Sequence, residues 1–165
     1  MLKYIELYIT HLSRYAVPVF LVIYMIESFL VFRYDNEESR KGLYNRQIVF
    51  MFLIHFSCFM AICFKIDKPE YFLFYAFQQI LIFAILVLTQ MIYPGSNRLI
   101  VNNMCMLLCI GMIMLTRLSY SNAVKQFVIA AGGVAISLVV PVVIRKVKKL
   151  SEWRKVYAII GIVSL

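Results

Sequence analysis

From Leu99 to Leu115 the chain reads LIVNNMCMLLCIGMIML, without one formal charge, and Arg117 closes the stretch at its far end. A helix needs about 20 predominantly apolar residues to cross the hydrocarbon of a bilayer, and residues 98–118 supply that length. Comparable runs occupy residues 15–32, 47–64, 71–93 and 127–144. One small soluble domain cannot enclose five such helices, whereas a bilayer can cover them from outside. The composition agrees, with 63% hydrophobic residues and a mean hydropathy of +0.85, against about 45–50% apolar in ordinary soluble domains. The predicted fold is therefore all-α: a polytopic integral membrane protein with five complete transmembrane helices and the start of a sixth.

An interfacial amphipathic helix is expected ahead of the first span. In residues 1–14, Leu2, Ile5, Ile9 and Leu12 form one helical stripe, while Lys3, Glu6, Thr10 and Ser13 fall on the other side. Tyr4 and Tyr8 suit the headgroup level. No small-residue cleavage site follows the next apolar run, so this is not read as a cleaved signal peptide. Pro18 falls in the first turn of the span over 15–32, where a missing N–H costs little.

The connections follow from punctuation. Residues 33–46, RYDNEESRKGLYNR, form a polar loop, and residues 65–70 form a tight turn. Pro94–Gly95 followed by Ser96–Asn97 is a strong turn signal. After the fifth span comes the basic run RKVKKLSEWRK over 145–155, and a sixth span begins at Val156. Its ten residues to Leu165 are too few for a crossing.

The formal charge of +9 would suggest nucleic acid in a soluble protein. Here the 17 basic residues sit in the connections, so no nucleic-acid partner is expected. Arg33, Arg40, Lys41 and Arg46, then Arg98, then Arg145, Lys146, Lys148, Lys149, Arg154 and Lys155 fall on one side. Lys3, Arg14, Lys65, Lys68, Arg117 and Lys125 fall on the other. The richer set is expected in the cytoplasm. That places loops 33–46 and 145–155 inside and the amino terminus outside.

Polar groups within the spans are few. Glu27 is expected to reach toward the interface or pair with a neighbouring helix, since no second buried carboxylate accompanies it. His55 is expected to make a polar contact between helices. Cys58, Cys63, Cys105 and Cys109 all lie in apolar segments. No His or carboxylate is spaced to complete a metal set with them, so they are read as small packing groups, and no metal or cofactor is expected in this chain. Asn102 and Asn103, costly in hydrocarbon, mark a packed or functional face. In the fifth span Gly132, Gly133 and Ser137, with Ala131 and Ala135, form a face on which another helix backbone can approach closely. Pro141 introduces a kink near the end of that span.

The run LIVNNMCMLLCIGMIMLTRLSYSNAVKQFVIAAGGVAISLVVPVVIRK resembles the first two core helices of the SEDS family. These are the FtsW, RodA and SpoVE proteins of bacterial cell division, cell shape and sporulation. GMIMLTRLS (Gly111–Ser119) resembles the close of that family's first core helix, and Lys125–Gln126 resembles the opening of its second. Gly132, Gly133 and the basic residues 145–149 match the glycine-containing run and its return to the cytoplasm. Residues 156–165 resemble the start of the third core helix. NNMCMLL and MLTRLS are similar to the Clostridia-like branch, which carries extra helices ahead of the core. The resemblance covers about residues 98–165, dividing the chain into an extension (1–97) with three spans and the start of a core (98–165). The family's core orientation agrees with the charge count.

The resemblance implies part of a peptidoglycan glycosyltransferase in the bacterial cytoplasmic membrane. Such an enzyme polymerises an undecaprenyl-linked disaccharide and works with a penicillin-binding transpeptidase. The family's catalytic aspartate lies in an outer loop beyond the third core helix, so no residue of this chain is assigned a catalytic role. Arg117 and Lys125 flank the outward bend SYSNAV, where they would meet either a lipid diphosphate or ordinary anionic headgroups. The alternatives are a small transporter subunit, with Glu27, His55, Gln78, Gln79 and Asn102 along a path, or a non-catalytic membrane interaction module. Transporters often carry internal repeats or broken helices. No repeat is visible here, and Gly132–Gly133 is the one candidate break.

Overall fold

A computed structural model describes residues 2–66 and 68–146, with side-chain surroundings over 8–66 and 68–143. The expected sixth span and most of the basic run before it lie outside the described residues. Five α-helices follow one another: α1 (Leu2–Leu30), α2 (Glu37–Ile66), α3 (Pro69–Ile92), α4 (Arg98–Leu118) and α5 (Tyr120–Lys146). Each contains a segment long and apolar enough to span a bilayer, with window hydropathies of 1.5 to 2.2. The architecture is that of a polytopic helical membrane protein.

Three boundaries differ from expectation. α1 runs unbroken from Leu2 to Leu30, so no separate amphipathic helix precedes the first span. Nothing between Leu12 and Val17 stops a helix, and Ser13 Oγ donates to the Ser57 carbonyl of α2 at 3.1 Å, fastening the polar side inward. Pro18 consequently sits inside the helix rather than in its first turn. Membrane helices tolerate this because neighbouring groups satisfy the freed backbone.

α2 begins at Glu37, well within the stretch expected to be loop. Asn36 caps it, accepting from the Glu38 N–H at 3.0 Å, and Glu37 and Glu38 occupy the first turn where the helix dipole favours anions.

The SYSNAV bend contracts to a single non-helical residue, Ser119, with φ −159° and ψ 109°. Its N–H closes α4 on the Leu115 carbonyl at 2.8 Å, and its carbonyl receives the Ala123 N–H at 3.0 Å. Its Oγ accepts from the Asn122 N–H at 3.4 Å. One serine therefore ends one helix and starts the next, and α5 begins seven residues before the expected 127.

Packing divides the chain into two compact units, Met1–Val128 and Ile129–Leu165. Within the first unit α2 is central, touching α1, α3 and α4, while α4 also touches α3. The contact order fixes the directions. Ser13 meets Ser57, Phe20 meets Phe50, and Glu27 meets Arg46, so α1 and α2 are antiparallel. His55 meets Gln78 and Phe64 meets Phe72, so α2 and α3 are antiparallel as well. Gln47 meets Asn102 and Phe59 packs with Ile113, which makes α4 parallel to α2.

The core of this unit has two ends. Val31, Leu43 and Leu99 cluster at one, with Leu30 and Tyr44 against them. At the other, Phe59, Ile62, Cys63, Phe74, Ile113 and Ala123 are buried together. Rings extend this second cluster, with Tyr71 and Phe74 on Tyr120, and Phe74 edge-on to Phe127 at 5.7 Å. The first turns of α5 are thereby fastened to α3. In the second unit the described residues continue α5 through Pro141 to Lys146.

Candidate functional site

The polar side chains of the spans are gathered into two nodes in the first unit. The larger joins α1, α2 and α4 near the α1–α2 connection. Asn102, fully buried on α4, donates from Nδ2 to Gln47 Oε1 at 3.0 Å and to the Tyr44 carbonyl at 3.2 Å. Gln47 donates in turn to Ser28 Oγ at 3.5 Å, and Ser28 donates back to the Tyr24 carbonyl. Tyr24 spans from α1 to α4, its hydroxyl donating to Asn103 Oδ1 at 2.9 Å. Beside this chain Glu27, 6% exposed, pairs with Arg46 Nε at 2.8 Å. Its Oε2 has no hydrogen-bond partner among the described residues.

Helical spacing explains the gathering. Tyr24, Glu27 and Ser28 lie at i, i+3 and i+4 on α1, and Tyr44 and Gln47 lie three apart on α2. A bilayer offers these groups no water, so they find each other across the helix seams. The Glu27 expectation of a partner on a neighbouring helix holds.

The smaller node joins α2 and α3. His55 Nε2 donates to Gln78 Oε1 at 3.0 Å, and Gln79 Nε2 donates to His55 Nδ1 at 2.6 Å. With an oxygen on one side and an N–H on the other, the ring is held as the Nε2–H tautomer. Phe59 stands edge-on to the imidazole at 4.8 Å and Tyr75 lies at 5.4 Å, closing the ring among aromatic neighbours. Gln78 Nε2 is buried without a hydrogen-bond partner among the described residues. His55 is thus an interhelical contact, as expected.

Arg117 lies in the last turn of α4 and Lys125 in the second turn of α5. Both are exposed and neither has a carboxylate partner among the described residues. Gly132, Gly133 and Ser137 are exposed in the second unit. An added Cβ at either glycine would meet nothing within 4 Å. The four cysteines are free, with Cys63, Cys105 and Cys109 buried. Among the described residues no group of three His, Cys, Asp or Glu is arranged to hold a metal ion.

Sequence reasoning missed Tyr24, Ser28, Gln47 and Tyr44 as members of the larger node. The available signal was the helical spacing of polar groups within apolar runs. Two grooves on the first unit are essentially apolar. One of about 320 Å³ lies between Ile48 and Phe52 of α2 and Phe83 and Val87 of α3. The other, about 360 Å³, lies between Leu73 and Phe77 of α3 and Tyr120 and Val124 of α5. None of Glu27, His55, Gln78, Gln79 and Asn102 lines either groove. Comparisons with protein-family models, curated proteins and solved structures found no match to this chain.

Proposed function

We propose that this chain is the amino-terminal part of a SEDS-type peptidoglycan glycosyltransferase, in which the polar-seamed bundle scaffolds the catalytic core. The observation that carries the reading is the order of sequence signals along α4 and α5. NNMCMLL opens α4, MLTRLS closes it, Lys125–Gln126 follows, and Gly132–Gly133 precedes the basic residues from Arg145. In the proposed arrangement the Ser119 joint faces the outside of a bacterial cytoplasmic membrane. Arg117 and Lys125 then stand where the phosphates of a lipid-linked disaccharide, or of anionic lipids, reach the surface. The transferring groups belong to the outer loop that the resemblance places beyond the third core helix. The present residues position and do not react.

The larger node gives the scaffold role physical content. Hydrogen bonds across α1, α2 and α4 tie the first core-like helix to two helices of the extension. This would fix the inner end of α4 while its outer end stays free to meet substrate. The test is polymerisation of undecaprenyl-linked disaccharide by the gene product purified with a penicillin-binding transpeptidase. Glycan strands that disappear when the outer-loop aspartate is replaced support the proposal. A purified, folded gene product that polymerises nothing beside an active transpeptidase refutes it.

A further inference from the structure

Two arginines at the α1–α2 end of the first unit stand apart from the ion pair beside them. Arg46 is neutralised by Glu27. Arg40 and Arg98 have no carboxylate partner among the described residues. Asp35, Glu37 and Glu38, the other acids of this end, are exposed and pair with neither. Both arginines are half-buried, and in both the Nε is shielded from solvent without a hydrogen-bond partner.

Both arginines are placed about Tyr44, Arg98 on its ring and Arg40 one helical turn before it. Arg98 lies over Tyr44 at 5.5 Å from its centroid, steadied by a 3.2 Å bond from Nη2 to Asn45 Oδ1. Arg40 precedes Tyr44 by four residues in α2 and so shares its helical face. Tyr44 itself is pinned from below, since its carbonyl takes a bond from Asn102 and its ring packs on Val31, Leu43 and Leu99. Helix dipoles do not decide the local field here. The N-termini of α2 and α4 and the C-termini of α1 and α3 meet at this end and offset each other. Neither guanidinium is ion-paired among the described residues, and that of Arg98 rests on the Tyr44 ring.

We infer that Arg40 and Arg98, flanking Tyr44, form a headgroup site for an anionic phospholipid. A guanidinium presents a planar fork that matches two phosphate oxygens. Two forks on one base select a phosphate carrying net charge over a zwitterionic headgroup. The site lies where the spans leave the hydrocarbon, on the side whose charge excess predicts the cytoplasm, and anionic lipid concentrates in that leaflet. A lipid is chosen over free phosphate because α1, the turn that follows it and α4 present apolar side chains at this end. Phe29, Phe32 and Ile100 are all exposed there. The inference does not depend on the glycosyltransferase reading.

The experiment places the purified protein in nanodiscs of phosphatidylcholine doped with phosphatidylglycerol and reads retained lipid by native mass spectrometry. Wild type should retain phosphatidylglycerol in preference to phosphatidylcholine. Arg40→Gln and Arg98→Gln should each weaken that retention about fivefold, and the double variant more than either. Lys41→Gln, an exposed cation on the same turn, should leave it near wild type. Arg40 makes no side-chain bond among the described residues, so R40Q tests the site without disturbing the fold, and circular dichroism checks this. Three results overturn the site: equal retention of the two lipids, an R40Q protein that is folded and unchanged in retention, or a K41Q loss as large as that of R98Q. Inorganic phosphate held without lipid overturns it too.

Discussion

Asn102 is the residue whose removal should cost the first unit most per atom lost. Its Nδ2 serves two acceptors, Gln47 Oε1 at 3.0 Å and the Tyr44 carbonyl at 3.2 Å, and it is 1% exposed. Asn102→Leu keeps the branching of the side chain and removes both bonds. Interhelical hydrogen bonds in membrane proteins average about 0.6 kcal/mol each. Stranding Gln47 Oε1 in a buried seam adds about 1 kcal/mol at the low end for an unsatisfied polar group. The Tyr44 carbonyl loses little, since it retains its place in the backbone of α2. The expected destabilisation is about 2 kcal/mol.

The same reasoning predicts how Asn102 couples to its partner. Gln47→Met strands Asn102 Nδ2 only in part, because Tyr44 still accepts from it, so this change should cost less than Asn102→Leu. Once Asn102 is Leu, the glutamine has lost its main reason to be there, and Gln47→Met should then be close to neutral. The two changes should therefore couple by about 1 kcal/mol, with the double variant more stable than the sum of the singles implies. Reversible unfolding in mixed micelles, followed for all four proteins, measures this cycle. Additivity within about 0.3 kcal/mol would mean that the bond contributes nothing as a pair, and the argument would fail.

The Glu27–Arg46 pair should respond asymmetrically, because Glu27 is buried and the Arg46 side chain is 62% exposed. Arg46→Ala strands a buried carboxylate, whereas Glu27→Gln returns the arginine to solvent, so unfolding in mixed micelles should show R46A as the less stable. His55→Phe removes two hydrogen bonds and strands groups on both Gln78 and Gln79. Gln78→Met removes one bond and a donor already without a partner. The His55 change should cost about 1–2 kcal/mol more in the same measurement. For sidedness, Ser121→Cys should react with an impermeant maleimide on intact cells while Ser39→Cys reacts only after lysis. Both positions are exposed, and the reverse pattern would overturn the charge-derived orientation.

The five spans were legible because apolar length depends only on local sequence, and each run survives as a helix of spanning length. Their ends were less legible, and the reason differs at each. Glu37–Arg46 looks like loop by charge, yet Asn36 and two first-turn acids make it a helix start. SYSNAV looks like a bend by polarity, but Ser119 alone satisfies both helix ends. Composition scores the letters and misses where a backbone N–H finds its acceptor. Glu27 and His55 could be singled out from sequence, being rare in such runs. Their partners could not, because Arg46, Gln78 and Gln79 become neighbours only once the antiparallel order is fixed. Tyr24 and Gln47 were harder to single out for a further reason: Tyr24 is an ordinary residue inside an apolar run and Gln47 stands at the edge of one, so only the partner makes each part of a node.

The distribution of contacts along α4 bears on what such a bundle can do. Its first turns are held by directed bonds, Asn102 to α2 and Asn103 to α1, which fix register because an amide displaced by one residue finds no partner. Its last turns meet α2 and α3 through Ile113 in the Phe59–Phe74 cluster, an apolar contact that fixes register less strictly than a directed bond. Within the first unit α5 is then anchored by rings on Tyr120 and Phe127. The end of α4 beside the α1–α2 connection is therefore keyed, and its end at Ser119 is held by apolar packing. A helix held this way can adjust its Ser119 end without losing its place in the bundle.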